Sequence, residues 1–188
     1  MIGTEMKATP TAIPEVLLIE PLVHEDVRGV FFETFNERAF AGATGLQPHF
    51  VQDNHSVSVA NTLRGLHYQV GRQQGKLVRV TRGAIFDVVV DMRRASPTFG
   101  QSITIVLSAA NRRQLWIPPG FAHGFLALGG GAECVYKITD YWSPVHERIL
   151  LWNDPALAIA WPLEGEPILS EKDKAGTPLQ DAETCDFS

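Results

Sequence analysis

Short apolar runs separated by turn residues dominate the chain. Every second residue from 103 to 107 is Ile or Leu, which is the period of a half-buried strand. Further β-rich runs occupy residues 77–80, 85–91, 114–117, 124–128 and 134–139. Turn residues separate them at 81–83, 96–97, 111, 118–120 and 129–131. Several short strands at this spacing predict an all-β sandwich or barrel.

Helical patterns are few. Residues 36–41 predict one short helix, and Ser170 is a suitable N-cap for a second over 171–174. No βαβ unit of about 30 residues is present, which disfavours a doubly wound fold. The last dozen residues are polar, and we expect them to form a loosely held tail.

Composition is typical of one globular domain. The 188 residues are 45% hydrophobic and 20% charged, and the net charge of −5 argues against a nucleic-acid partner. Cys134 and Cys185 make no disulfide framework, and Cys185 is expected to lack an ordered partner in the tail. The first residues lack a signal-peptide core, and the long uncharged stretch 114–132 contains prolines and glycines that exclude a membrane helix. We therefore expect a cytoplasmic protein without a membrane partner.

Two histidines stand among apolar residues. His67 interrupts a strand-like run, and His123 follows a Pro-Pro-Gly turn between aromatic residues. Either is equally explained as a core histidine bonded to a carbonyl or as a functional group pointing into a barrel. The segment from Pro118 to His123 is similar to the second motif of cupin barrels. However, Gln69 stands where the first cupin motif has a metal-binding histidine, so a metal site is disfavoured.

Two other chemistries find little support. Residues 71–76 superficially resemble a phosphate-binding loop, but only three residues separate the glycines and Leu77 replaces the hydroxyl residue. Lys76 opens an apolar strand, where it either neutralises a ligand oxygen or protects a strand edge. No motif of a serine or cysteine nucleophile is present.

Several segments in order resemble the dTDP-4-dehydrorhamnose 3,5-epimerases, from about Val23 to Asp173. The matching segments are 26–33, 51–56, 63–69, 74–78, 86–91, 96–100, 117–125, 136–137, 153–155, 161–162 and 169–173. The resemblance implies a cupin-like jelly-roll β-barrel with a few short helices, one domain over 1–188 with its core at about 16–175. It also implies an isomerase that needs no cofactor and no metal.

The implied substrate is a dTDP-linked 4-keto-6-deoxy sugar, whose C4 carbonyl acidifies the hydrogens on C3 and C5. By resemblance, His67 is the base and Asp173 its carboxylate partner. Lys76 matches the residue that stabilises the enolate oxygen, and Tyr136 matches the acid on the opposite face. The family includes members that invert one carbon only, so a mono-epimerase is an alternative, as is a metal-binding or sugar-binding cupin.

The resemblance also implies a set of substrate contacts. Arg28 and Arg64 match positions that bind the nucleotide and its phosphates. Other matching positions are Glu33, Gln52, Asp53, Asn54, His123, Glu147 and Lys172. Two residues depart from the family pattern: Trp142 replaces the tyrosine that stacks on thymine, and Asp53 adds an acid where the family often has a small or apolar residue.

The family typically forms homodimers in which an N-terminal strand crosses to the partner and helps complete its site. The apolar run 16–19 could be that strand. Ordinary pairing within the chain is equally compatible with this run. The resemblance places the reaction in deoxysugar supply for polysaccharides or glycosylated metabolites.

Overall fold

Strands make up most of the protein, as the hydrophobic pattern predicts. The structure is a computed structural model that describes residues 6–185. Its helices are α1 (Glu37–Thr44), α2 (Glu171–Lys174) and a 3-10 turn (Leu179–Asp181). Its strands are β1 (Lys7–Pro10), β2 (Leu17–Glu20), β3 (Val23–Asp26), β4 (Gly29–Phe32), β5 (Gln52–Ser58), β6 (Leu63–Gln69), β7 (Lys76–Asp91), β8 (Ser102–Ser108), β9 (Gln114–Ile117), β10 (Phe121–Ile138) and β11 (Glu147–Ile149).

Two long strands organise the main sheet. β7 pairs with β8, β9 and β10, and β10 pairs in addition with β5 and β6; all these pairings are antiparallel. β11 extends the sheet beyond β6, while β2 and then β1 extend it beyond β9. β3 and β4 form a separate hairpin. The all-β prediction is therefore confirmed.

Two predicted turns are wrong. Residues 81–83 lie inside the continuous strand β7, and residues 129–131 lie inside β10. The two strands bend together, because Leu128 pairs with Ala84 and Ala132 pairs with Gly83, which leaves the three glycines as a bulge. Glycines here accommodate a change of register rather than a reversal of the chain.

The core lies on both faces of β7. Val89 packs with residues such as Leu107 and Leu115 in one cluster, whereas Val88 and Val90 belong to a second cluster. Successive side chains of a strand point to opposite faces, so both faces of this strand are covered. This explains the uninterrupted Val-Val-Val run, which lacks the alternation of a half-exposed strand.

The expectation of a loosely held tail is wrong for residues 177–185. The Cys185 amide donates to Met92 O at 2.8 Å, and the Tyr68 hydroxyl donates to Glu183 O at 2.7 Å. Cys185 and Ala182 are buried in the second apolar cluster. The tail covers an apolar sheet face that would otherwise meet water. This face is the packing partner that could not be recognised from the polar sequence of the tail.

Both predicted helices are confirmed, and α2 has the predicted cap Ser170. The Asn36 side chain accepts from the amides of Arg38 and Ala39, and Ser170 accepts from the amide of Asp173. The run 16–19 pairs within its own chain: β2 lies between β1 and β9. None of the described helices is long and apolar enough to cross a membrane.

A buried polar cluster closes the end of β7. The Asp91 carboxylate is fully buried and accepts bonds from Arg93, Ser96 and Thr98 at 2.6–2.9 Å. Burial raises the pKa of Asp91, but these bonds outweigh it and lower the pKa from 3.8 to about 2. The charged carboxylate therefore stabilises the turn between β7 and β8.

We predict that Asp91→Asn lowers the free energy of unfolding at pH 7 by about 2–4 kcal/mol, because Arg93 stays largely buried and keeps only the half-exposed Glu15 as a counter-charge. A depressed carboxyl pKa stabilises the fold above the unfolded value and stops doing so as the pH falls. The wild type should therefore lose this stabilisation between about pH 4 and 2, and the variant should not. Urea unfolding across pH measures both effects.

The matched control is Glu171→Gln, which removes a carboxylate that is 90% exposed. Its expected change is within about 0.5 kcal/mol. An Asp91→Asn protein as stable as this control would contradict the assigned role of the cluster.

Candidate active site

One cavity of about 630 Å³ opens between β5, β6 and β10. β6 and β10 approach each other very closely at its wall, where a Cβ on Gly65 would lie 2.7 Å from the Cα of Gly124. Only glycine at both positions permits this approach. The neighbouring residues Arg64 and His123 consequently face one shared space, and both line the cavity.

A histidine–carboxylate pair lies in this cavity. Nε2 of His67 is 2.6 Å from Oδ1 of Asp173, which α2 presents and which is 3% exposed. Burial raises the pKa of Asp173. The contacts with His67 and with the Ser170 hydroxyl lower it by more, so the pKa lies below its ordinary value. A charged carboxylate can only accept, so Nε2 carries the proton and Nδ1 is left able to take one.

Lys76 begins β7 inside the same cavity. Its side chain is buried, and Nζ donates to His67 O at 3.0 Å. Burial lowers the pKa of Lys76 from 10.5 to about 8, although Asp87 and Glu147 oppose this shift. A cation here is poorly solvated, and an anionic oxygen in the cavity would be attracted to it.

Tyr136 lines the cavity from β10. It is paired with Asn54 of β5 on one side and with Val78 of β7 on the other. Burial raises the pKa of Tyr136, so the phenol is protonated at neutral pH, while the nearby charge of Arg64 opposes the shift. The Arg64 guanidinium is held by Ser58 Oγ at 3.0 Å.

His123 belongs to a second buried pair that the sequence did not reveal. Its Nε2 lies 2.9 Å from Oδ2 of Asp87, and both residues are buried. His123 is the direct cross-strand neighbour of His67. In the sequence, Asp87 is recognisable only as a lone acid in an apolar strand, and this pattern does not predict which residue it contacts. By contrast, the side chain of Gln69 is engaged by the backbone of Arg72 and Ser143.

Polar and aromatic side chains form the rim. Glu147 accepts from Lys172 Nζ at 3.1 Å and from the Trp142 indole at 3.2 Å. The Trp142 amide donates to Gln52 Oε1 at 3.3 Å, and the Gln52 amide group donates to Asn54. Trp142 as a whole remains 54% exposed. A fixed ring with an open face is suited to stacking on a planar ligand.

Three predicted contacts lie outside the cavity. Asp53 is on the opposite face of β5 and pairs with Lys137 at 3.0 Å, because side chains alternate along a strand. This pairing accounts for the unexpected acid. Arg28 lies at the β3–β4 turn beside Asp26, and Glu33 contacts Asn36. The cavity thus contains eleven of the fourteen predicted residues: Gln52, Asn54, Arg64, His67, Lys76, His123, Tyr136, Trp142, Glu147, Lys172 and Asp173.

The groups around the cavity are suited to moving protons next to a carbonyl. They supply a base held by a carboxylate, an ammonium for a developing oxyanion and a protonated phenol. The all-β architecture and this site together define a cupin-like protein with a cavity suited to proton transfer. A family model described as dTDP-4-dehydrorhamnose 3,5-epimerase matches residues 10–181.

Known proteins agree with this class. The dTDP-4-dehydrorhamnose 3,5-epimerase of Pseudomonas aeruginosa is 59% identical over 95% of this chain and 98% of its own length. The crystal structure of a 3,5-epimerase from Legionella pneumophila with dTDP-4-keto-L-rhamnose has a TM-score of 0.94 at 45% identity, over 97% of this chain and 99% of that one. The chain therefore belongs to the dTDP-4-dehydrorhamnose 3,5-epimerase family, and the predicted cupin-like fold is confirmed.

A 3'-monoepimerase from Streptomyces bikiniensis has a similar structure. It was crystallised with dTDP-quinovose and has a TM-score of 0.85 at 35% identity, covering 91% of this chain and 87% of that one. The fold alone therefore does not distinguish single from double epimerisation.

We predict that Lys76→Met raises the free energy of unfolding at pH 7 by about 2 kcal/mol, because it removes a buried charge at similar volume. The lowered pKa means that the unfolded chain binds more protons between about pH 8 and 10.5. The stability of the wild type should therefore rise through this interval, and the variant should lose that rise. Denaturant titrations at several pH values test this.

Lys137→Met provides the control, since its ion pair with Asp53 lies at the surface. It should change stability by less than about 1 kcal/mol at pH 7. A Lys76→Met protein less stable than the wild type would mean that the ammonium is well compensated in the cavity.

Proposed function

We propose that the protein epimerises dTDP-4-dehydro-6-deoxy-D-glucose at C3 and C5, yielding dTDP-4-dehydro-L-rhamnose. One observation carries the proposal: His67–Asp173, Lys76 and Tyr136 surround a single cavity in a member of this family. No redox change is involved, because each epimerisation removes a proton from carbon and returns one to the other face.

In the proposed mechanism, Nδ1 of His67 takes the proton from the carbon next to the C4 carbonyl. The electron pair moves to the C4 oxygen, and the Lys76 ammonium stabilises the enolate. Asp173 stabilises the imidazolium that forms. The Tyr136 hydroxyl then gives its proton to the opposite face of the carbon, and proton exchange with solvent restores both side chains. The same sequence at the second carbon completes the double inversion.

The rim is proposed to hold the nucleotide. The open indole face of Trp142 stacks on the thymine ring, as the family tyrosine would. Arg64 and Lys172 provide positive charge for the diphosphate. Lys172 is paired with Glu147 in this structure, and a diphosphate would compete with that carboxylate for the ammonium.

Double epimerisation is preferred over single epimerisation because the 59% identical relative bears the name of a 3,5-epimerase. The similarity to a 3'-monoepimerase keeps inversion of one carbon as the second candidate. We also place the reaction in the cytoplasm, where the thiols of Cys134 and Cys185 would stay reduced. The product would supply deoxysugar for polysaccharides or glycosylated metabolites.

The decisive assay is exchange in D2O, with C3–H and C5–H of the substrate followed by NMR. We predict exchange at both carbons with inverted product. His67→Asn should slow both exchanges by about 100- to 10,000-fold, since the base is lost. Tyr136→Phe should keep exchange, because His67 can return a deuteron to the same face, but should lose inverted product.

His55→Asn is the matched control, because His55 lies on the other face of β5 and is exposed. It should behave as the wild type. Exchange at one carbon only would establish the mono-epimerase. No exchange at either carbon, with a known epimerase active in the same buffer, would overturn the proposed reaction.

We also propose a homodimer in which the β3–β4 hairpin completes the site of the partner. The hairpin has Val27 and Phe31 exposed at 105% and 71%. The hairpin carries Arg28, and Glu33 follows it. Both residues are predicted substrate contacts, and neither lines the cavity of its own chain. Arg28 is exposed and is paired with Asp26, with which a phosphate would compete. Exposed apolar surface beside an exposed arginine is typical of an interface that supplies a phosphate contact.

Complementation tests this arrangement. Arg28→Ala and His67→Asn should each be nearly inactive, but their co-expression should restore roughly a quarter of the wild-type rate. Half of randomly assembled dimers then contain both variants, and each has one site with both native residues. If Arg28 acted within its own chain, the mixed protein would show no recovery.

A further inference from the structure

Residues 168–177, here called the strap, form one wall of the cavity and carry both Lys172 and Asp173. At its start, Ile168 donates to Asn61 O at 2.9 Å and accepts from the Leu63 amide at 3.0 Å. At its end, Thr177 donates to Ile149 O and accepts from the Leu151 amide, both at 2.9 Å. The strap contains only the short helix α2 between these two anchors. The position of Asp173 therefore depends on how the anchors are held.

The second anchor has no spare space. A Cβ placed on Gly176 would lie 2.8 Å from the Cα and 2.9 Å from the amide nitrogen of Leu151, and 3.1 Å from the carbonyl carbon of Leu150. All three atoms are backbone atoms of a hydrogen-bonded segment, so they cannot move aside as a flexible side chain could. Only glycine permits this approach of the strap to residues 149–151.

A buried carboxylate holds the chain just beyond the strap. Asp154 is 6% exposed, and its Oδ2 accepts from the Leu179 amide at 2.6 Å. Its other oxygen accepts from the Ala156 amide at 2.9 Å. The Asn153-Asp154-Pro155 segment, which the proposed chemistry does not use, thereby fixes the strap from its far side.

The same anchor also holds the strand of the base. Ile149 is the cross-strand partner of His67, and Leu150 exchanges two hydrogen bonds with Leu66. Residues 149–151 thus contact β6 on one side and the strap on the other. Residues 149–151 therefore hold both β6, which carries His67, and the strap, which carries Asp173, and so set the 2.6 Å contact between the two side chains.

We propose that Gly176 and Asp154 are positioning residues for the His67–Asp173 pair. A side chain at 176, or loss of the acceptor at 154, displaces the strap from residues 149–151 and lengthens the contact between imidazole and carboxylate. Neither residue touches the substrate. The inference rests on the proposed function, since it assigns His67 the role of base.

The test uses Gly176→Ala, Asp154→Asn and the control Gly42→Ala, because Gly42 in α1 has open space where its Cβ would lie. The first readout needs no substrate: the NMR resonance of the His67 ring N–H in histidine-labelled protein, assigned by its loss in Asp173→Asn. We expect this resonance to shift or vanish in the two strap variants and to stay unchanged in Gly42→Ala.

The second readout is the rate per folded molecule, with the folded fraction measured by circular dichroism. We expect kcat to fall by about 10- to 100-fold in Gly176→Ala and less in Asp154→Asn, since displaced catalytic groups lose alignment. KM should rise by a smaller factor than kcat falls, because the strap carries Lys172 while the other rim groups Trp142 and Arg64 lie outside it.

An unchanged resonance together with an unchanged kcat in folded Gly176→Ala would overturn the proposal. A loss of rate that only follows the folded fraction would do the same, as it would show a purely structural role. If Gly176→Ala does not fold, Asp154→Asn decides by the same two criteria. A wild type without exchange at C3 or C5 would instead overturn the proposed reaction, and the resonance would still test the positioning.

Discussion

The antiparallel pairing of β10 with three other strands is the constraint on which the site depends. β5, β6 and β7 each form a ladder with part of this one strand. Because cross-strand partners share a face, the pairing brings His67 beside His123 and places Tyr136 next to Asn54. Residues that are far apart in sequence therefore meet around one cavity, and the segments after β10 and before α2 add Trp142 and Ser170 to its lining.

Burying ionisable groups around the cavity has an unfavourable desolvation free energy, which explains why polar partners surround them. Lys76, Asp87 and Asp173 are ionisable groups removed from water, and each has a polar partner that limits the penalty. At the opposite end of β7, Asp91 is likewise a buried carboxylate with polar partners, but it stabilises a turn and does not line the cavity. A protein selected only for stability would place apolar side chains at the cavity positions.

Two kinds of support hold the two parts of the site. His67, Lys76 and Tyr136 lie on strands, and Asp173 lies on a segment that is hydrogen-bonded at both ends, so the buried part of the site is well supported. The rim is more open: Trp142 and Lys172 are half exposed and are linked through a single carboxylate, Glu147. A well-supported centre with an exposed rim agrees with the proposed substrate, whose sugar would be aligned in the cavity and whose nucleotide would lie at the surface.

The sequence by itself determined the local features: the short strands, the two helices with the Ser170 cap, and the unusual settings of His67 and His123. These depend on neighbouring residues, so they could be predicted without a fold. Only tertiary structure decided that Asp53 faces away from the cavity while Asn54 faces it, since alternation fixes opposite faces but not which one is used. Long-range packing likewise made the two apolar runs on either side of 81–83 into one strand, buried the tail against the sheet and paired Asp87 with His123. Each of these features needs partners that are distant in the chain.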